Sequence, residues 1–379
     1  MLRSLDTARE LCQQYHPGLI KALESIPYEE REAAGSPVIG LFRDHGGAGL
    51  MVPRAYGGLG ADLLDAIRVQ RALGSVSPSL AAATAMHHFT AAMLYELAGT
   101  AGRLTASQMK VLGGIAPRRQ LMASGWAEGK TQQNILVPSV TAVPTDDGYL
   151  LTGSKKPCSL AGSMDLLTVS IAVPGPNGPE LALALVPADA PGITVSPFWG
   201  NDVLAAAESD EVRLEDTPVA ADLVIRTSSD DPHRLDDLQT TGFVCFTLLI
   251  SAGYAGAAAG LVATVLERGR GSEGDRAALA IGCEAAFAQL EGAARAVRDG
   301  LAGEAAVAEV LVARYAAQRA LAHAADQALD LLGGIDFIRG SDRSRLAMAV
   351  RPLAFHPPGQ SSAAEPLLSW FTGGPLELS

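Results

Sequence analysis

The sequence has no run of lysine and arginine anywhere in its 379 residues, and its formal net charge is −12. Phosphate backbones are gripped by clustered cations, so nucleic-acid binding is excluded as a function class. Paired cysteines are also missing. Cys12, Cys158, Cys245 and Cys283 stand far apart, none in a CxxC pair or at metal-ligand spacing with histidine. That pattern points to reduced thiols in a cytoplasm and to no metal site. The first ten residues carry acids and arginines where a secretory apolar stretch would lie, so no signal peptide is expected. No internal repeat is visible.

One absence points the other way. From Gly242 to Leu266 there is no charged residue, a stretch of about 25 that is long enough to cross a bilayer. No second span follows, and the flanks are acidic rather than basic, against the usual orientation signal. Its many small residues suit a helix at the centre of a bundle, and no membrane partner is expected.

What is present describes a folded chain, 48% hydrophobic and 18% charged. Up to about residue 120 the pattern is helical. Leu64 to Leu73 carries apolar residues at helical spacing, and Ser77-Pro78 opens an alanine-rich helix running to about Ala98. The glycine-dense piece from Val52 to Gly60 is a loop. From Leu121 short β-prone runs alternate with turns: Val140–Val143, Tyr149–Thr152, Leu166–Val173, Leu181–Val186, Ile193–Val195 and Glu211–Leu214. A polar linker covers Asp230 to Arg234. Helical patterns then return at Leu238–Glu267, Asp275–Leu301, Glu304–Leu332 and, shorter, Ser341–Leu353, with glycines at their ends. The expected class is α+β: an all-α domain over 1–120, a β-barrel or sandwich over 121–228, and an antiparallel four-helix bundle with a short tail over 235–379. A ligand site belongs where the three parts meet.

Particular residues narrow this order. VPRAYGGLGAD at 52–62 is followed by RVQRALGSVSPSLAAATAMHH at 68–88, SGWAEG at 124–129, GYLLTGSKKPCSLAG at 148–162 and LDLLGGIDF at 329–337. In this arrangement, over roughly residues 35 to 358, the chain resembles the acyl-CoA dehydrogenase superfamily. The resemblance implies FAD held between the β domain, the helical bundle and a neighbouring subunit of a homodimer or homotetramer. It places Trp126 and Ala127 on the strand lining the isoalloxazine edge, Ser159 as a hydrogen-bond donor near flavin N5, and Gly333-Gly334 beside the adenosine diphosphate of a partner's flavin. Arg268 or Arg270 is left to grip the pyrophosphate. The chemistry agrees, since a reduced flavin gathers negative charge that N–H and O–H groups stabilise, and glycine lets backbone approach a diphosphate.

The departures bear on activity. A dehydrogenating member needs a carboxylate to remove the α-proton of an acyl thioester. The two positions where the family keeps it correspond here to Pro357 or His356 and to about Phe246. His356 becomes the candidate base, since imidazole titrates near neutrality. The His87-His88 pair is a second candidate, and Glu128 matches a structural glutamate of the family. Asp330 stands where the family has a glutamine and an acid disfavours a diphosphate, and Ile335-Asp336 replaces the family's aromatic-glycine pair. The first expectation is an FAD enzyme oxidising the CH–CH group of an acyl thioester on CoA or a carrier protein. The alternatives are a non-catalytic subunit in a hetero-oligomer with a homologue, and a flavin monooxygenase, in which dioxygen reacts at the flavin and no α-proton base is needed.

Overall fold

A computed structural model describes residues 2–100, 102–129, 137–176, 178–226, 237–339 and 341–378. The linker predicted at 230–234 lies outside them, as does Asn177 in the predicted turn after Pro174. Seven helices come first: α1 (Arg3–Tyr15), α2 (Leu19–Glu24), α3 (Tyr28–Arg31), α4 (Val38–Asp44), α5 (Leu63–Gly74), α6 (Pro78–Gly99) and α7 (Ala106–Leu112). Their starts follow local chemistry. Asp62 caps α5 by accepting from Asp65 N, Ser77 caps α6 with Pro78 in its first turn, and Thr105 with Gln108 forms a reciprocal capping box on α7.

Eight strands follow: β1 (Met122–Gly125), β2 (Thr141–Pro144), β3 (Gly148–Cys158), β4 (Leu166–Gly175), β5 (Gly178–Pro187), β6 (Ile193–Ser196), β7 (Asp210–Ala220) and β8 (Val224–Arg226). They form one sheet in the order β6-β7-β3-β2-β4-β5-β8, with β1 paired to β4 off that path. β5 takes one edge of β4 along its whole length. The other edge is divided: β1 runs parallel to Leu166–Val169, and β2 meets it at Ala172. This division opens the sheet beside β3, and the site described below begins there.

The remaining helices are α8 (Asp237–Glu267), α9 (Glu273–Arg298), α10 (Gly303–Leu332), α11 (Gly334–Arg339), α12 (Ser341–Met348) and α13 (Ala364–Phe371). The helix predicted to reach Leu353 ends five residues earlier, because Pro352 cannot continue it and a 3-10 turn over Arg351–Ala354 takes its place. The uncharged stretch is α8, and it is the central helix of the protein: α5, α6, α9 and α10 all pack on it. Its small residues allow backbone contact. A Cβ on Gly74 of α5 would stand 1.9 Å from the Gly253 carbonyl oxygen, and one on Gly256 would stand 2.2 Å from that of Arg71. No larger residue fits at this crossing.

Candidate functional site

The β side of the site is the carboxyl end of β1 and β3. Beyond β1 the chain continues as Trp126-Ala127-Glu128, and Lys156 N donates to Ala127 O at 3.0 Å, so the segment runs beside the end of β3. Glu128 and Lys155 form a buried ion pair beneath it, with side chains 1% and 0% exposed. Lys155 Nζ also donates to Ser170 Oγ at 2.8 Å, and Ser139 donates to Glu128 from its hydroxyl and, at 3.2 Å, from its backbone N–H. The Glu128 carboxylate thus ties β3, β4 and the chain entering β2 together where β4's edge divides. Burial holds the Lys155 ammonium below its ordinary pKa, while Glu128 acts in the opposite sense.

Ser159 follows β3 directly. Its hydroxyl shares a hydrogen bond of 2.9 Å with Ser209 Oγ, and the next two amides donate to the carbonyls of Ala207 and Glu208. Cys158 Sγ reaches Ser124 O at 3.4 Å, so the turn carrying Ser159 is anchored to β1. Trp126, Ala127 and Ser159 are therefore brought together. The Trp126 indole N–H is buried and has no acceptor among the described residues. A buried donor without a partner is costly, and a ring acceptor at this seam would satisfy it.

The helical side is built on α6 and α8. α6 packs against α8 and also touches β1 and the 3-10 turn at Ala205–Ala207. Phe89 of α6 meets Phe246 of α8 edge-on at 5.5 Å, and Phe246 meets the His356 ring edge-on at 5.6 Å. Tyr254, two turns further along α8, stacks on His356 at 5.7 Å, with its hydroxyl 2.9 Å from Nε2. Arg314 of α10 fixes the loop: its buried guanidinium donates to the carbonyls of Leu353, His356 and Pro357. The two positions at which the family keeps its base, Phe246 and the His356–Pro357 corner, thus touch each other, and among the described residues no carboxylate lies between them.

The candidate base His356 is packed between Phe246 and Tyr254. Burial pushes its imidazole down to about 3, and the neighbouring Arg314 charge works in the same direction. His87 and His88 are engaged within the N-terminal layer and with β1. His87 accepts from Met122 N at 3.0 Å on Nδ1 and donates from Nε2 to Ala48 O at 2.9 Å, bracing β1 against the loop before α5. His88 is fully buried between Phe42 and His87, with neither ring nitrogen partnered among the described residues.

Arg268, Arg270, Gly333 and Gly334 form a second cluster at the far end of α8. Arg268 follows the last turn of that helix, about 33 Å from Phe246 at 1.5 Å per residue. Its guanidinium is taken up by Asp336 at 2.6 Å, which Arg343 approaches at 3.5 Å. Arg270 makes no ion pair among the described residues. Gly333 ends α10 with φ of 85°, and a Cβ on either glycine would meet nothing within 4 Å, so the backbone is open to close approach. Sequence reasoning missed Phe89, Tyr254, Arg314 and Lys155. Arg314 had a signal, since it lies on the stripe of α10 that buries Val307, Val310, Leu311 and Ala317. Tyr254 had one too, eight residues from Phe246 on the same helical face.

A helical layer, a divided sheet and a bundle meeting at an aromatic seam define the acyl-CoA dehydrogenase-like flavin enzymes. Residues 4–103 match the family model described as the acyl-CoA dehydrogenase N-terminal domain. The chain is 58% identical over 378 residues, covering 100% of both chains, to the isobutylamine N-hydroxylase of Streptomyces viridifaciens, and it belongs to this family of flavin enzymes. Among solved structures, KijD3 in complex with FMN and an amino-keto sugar nucleotide is similar at TM-score 0.81 and 22% identity, over 97% of this chain and 94% of that one. XiaF from Streptomyces in complex with FADH2 is similar at TM-score 0.79 and 19% identity, over 99% and 98%. Thioester oxidation is overturned by these findings: the full-length relative is an N-hydroxylase, and the structure has no carboxylate at either dehydrogenase position. The non-catalytic dehydrogenase subunit falls with it.

Proposed function

We propose that this chain is a flavin-dependent monooxygenase that places one atom of dioxygen on the nitrogen of a small primary alkylamine, with isobutylamine as the reference substrate. The observation that carries the monooxygenase reading is the contact of Phe246 with His356, where an α-proton base would have to stand. The amine rests on the full-length relative. When bound, the reduced flavin supplies two electrons and activates dioxygen. The amine nitrogen forms the N–O bond, the O–O bond breaks, and the second oxygen leaves as water, so amine, dioxygen and reduced flavin give hydroxylamine, water and oxidised flavin.

The chain's own residues then have simple roles. The Trp126 indole N–H and the Ser159 hydroxyl would donate to the flavin ring, while Phe89, Phe246 and Tyr254 form an apolar wall against bulk water. His356, held neutral and pinned by Tyr254, neither removes a proton from carbon nor adds a charge. FAD is the proposed cofactor, its diphosphate held by Arg270, Gly333 and Gly334 of a second copy, because these lie too far along α8 to serve the same chain's seam. A homodimer or homotetramer fits the exposed apolar face of α11, where Ile335, Phe337 and Ile338 are 68%, 64% and 77% exposed. A cytoplasmic location fits the reduced, buried cysteines.

The test supplies FAD, NADH, a flavin reductase and isobutylamine in air, and follows products by mass spectrometry. N-isobutylhydroxylamine formed in step with oxygen uptake is the expected result, while oxygen uptake yielding only peroxide overturns the reading. In light scattering the purified protein is expected at two or four times its chain mass of 39.2 kDa. A monomer that still binds FAD tightly excludes the shared diphosphate site.

A further inference from the structure

The wall around Phe246 and His356 also bears on the protonation state in which the substrate enters. A primary alkylammonium, like a lysine side chain, has a pKa of about 10, so almost all of the amine is cationic at neutral pH. A nitrogen that must form an N–O bond needs its lone pair. The site therefore has to accept the cation and strip its proton, or select the free base.

Four elements face this wall among the described residues. α6 contributes Phe89. α8 contributes Phe246, Tyr254 and, beside Phe246, Cys245. α10 contributes Arg314 and Tyr315, whose hydroxyl donates to Pro358 O at 2.9 Å. The loop after α12 contributes His356. Burial pushes the Tyr254 and Tyr315 hydroxyls above their ordinary pKa and the Cys245 thiol up to about 12, so all three stay neutral. Burial lowers Arg314 to about 10, which leaves it charged across the working range. The acid coupled to this region is Glu96, which acts on Cys245 and stands exposed two turns of α6 beyond Phe89. The fixed charge at the wall is therefore positive, with no anion in contact with it among the described residues, and an ammonium ion has nothing among them to replace its water.

Resting on the proposed amine oxidation, we infer that this enzyme binds its amine as the free base, and that Phe246 and His356 are the residues that set this preference by occupying the two carboxylate positions with uncharged rings. A carboxylate at either place would hold the ammonium tightly and mask the lone pair. The loss of the dehydrogenase base is then a requirement of the amine chemistry as well as a consequence of abandoning the thioester.

Isothermal titration of the flavin-loaded enzyme between pH 6.5 and 9 reads the preference without turnover. The apparent Kd for isobutylamine is expected to fall about tenfold per pH unit, following the free-base fraction. A fluorinated analogue whose pKa lies below neutrality, and the neutral isostere 2-methylpropan-1-ol, should show no such slope. Phe246→Glu is expected to flatten or reverse the slope for isobutylamine and to lower turnover by at least a hundredfold. A flat isobutylamine profile in the native enzyme, binding that tightens toward low pH, or no binding at any pH overturns the inference. The wild-type series decides even where Phe246→Glu fails to fold. The expected slope without hydroxylamine formation would instead count against the proposed function and leave the free-base preference standing.

Discussion

Lowering the pH from 7 to about 4.5 is expected to unfold the protein through the buried histidines of its N-terminal layer, with a loss of roughly 1.4 kcal/mol per pH unit for each. His16, His87 and His88 are all 0% exposed, and Phe42 packs against His16 at 5.9 Å and His88 at 5.7 Å. Burial pushes His16 and His87 down to about 4 and His88 well below its ordinary value. In the unfolded chain the same rings titrate near 6.5, so below that pH the unfolded state binds more protons. The stability these groups confer is full above about 6.5 and is lost as the pH falls toward 4. Glu32 and Glu208, whose carboxyls burial pushes up, work in the opposite sense and offset part of the loss. His356, pushed down to about 3, is a fourth such ring. Four histidines against two carboxyls leave a net slope of about 3 kcal/mol per unit, enough over the roughly two units below 6.5 to exhaust a stability at the low end of the typical 5–15 kcal/mol.

His88→Leu isolates one group. Its two ring nitrogens have no partner among the described residues, so leucine is expected to stabilise the protein by about 1–3 kcal/mol at neutral pH. Below 6.5 the advantage should widen by about 1.4 kcal/mol per unit. Urea denaturation of both proteins at pH 7.5, 6.0 and 5.0 measures the gap, and a constant gap removes the argument. His87→Leu is expected to destabilise at pH 7.5, because Met122 N and Ala48 O lose their partner.

The strands were legible because turn residues punctuate them: all six predicted runs overlap strands of the sheet. β1 was not, because Met-Ala-Ser-Gly carries no β-branched or aromatic residue, and β8, at three residues, is too short to show alternation. α2, α3 and α4 were hidden for a similar reason, each shorter than two turns. At the site, sequence spacing marked Phe246 and His356 one at a time, as two places lacking an acid. Their contact across 110 positions is a property of the packed bundle, and it is what turns two omissions into one aromatic wall. The neutrality of His356 was equally out of reach, since it comes from enclosure by Tyr254, Phe246 and Arg314. The division of β4's edge could not be read either, because it depends on which strands share a neighbour.

Lys155→Met is expected to cost about 3–5 kcal/mol, the largest effect of any single substitution near the seam. The loss comes less from the missing attraction than from what remains: a carboxylate 1% exposed, with Ser139 as its only other partner among the described residues. That carboxylate would be desolvated and unpaired, and the strand junction it ties would loosen. Glu128→Gln alone leaves the Lys155 ammonium buried with Ser170 and should cost a similar amount. The double variant Lys155→Met/Glu128→Gln removes both charges and is expected to recover to within about 1–2 kcal/mol of the native protein, since a buried pair contributes little net stability against uncharged groups of like size. Because Lys156 N bonds Ala127 O directly above this pair, flavin affinity should follow the same order: weakened at least tenfold in each single variant and largely restored in the double. Denaturation curves and flavin titrations on the four proteins close the cycle. Losses that simply add would mean that Glu128 and Lys155 act independently, and that the geometry of the flavin seam does not depend on their pairing.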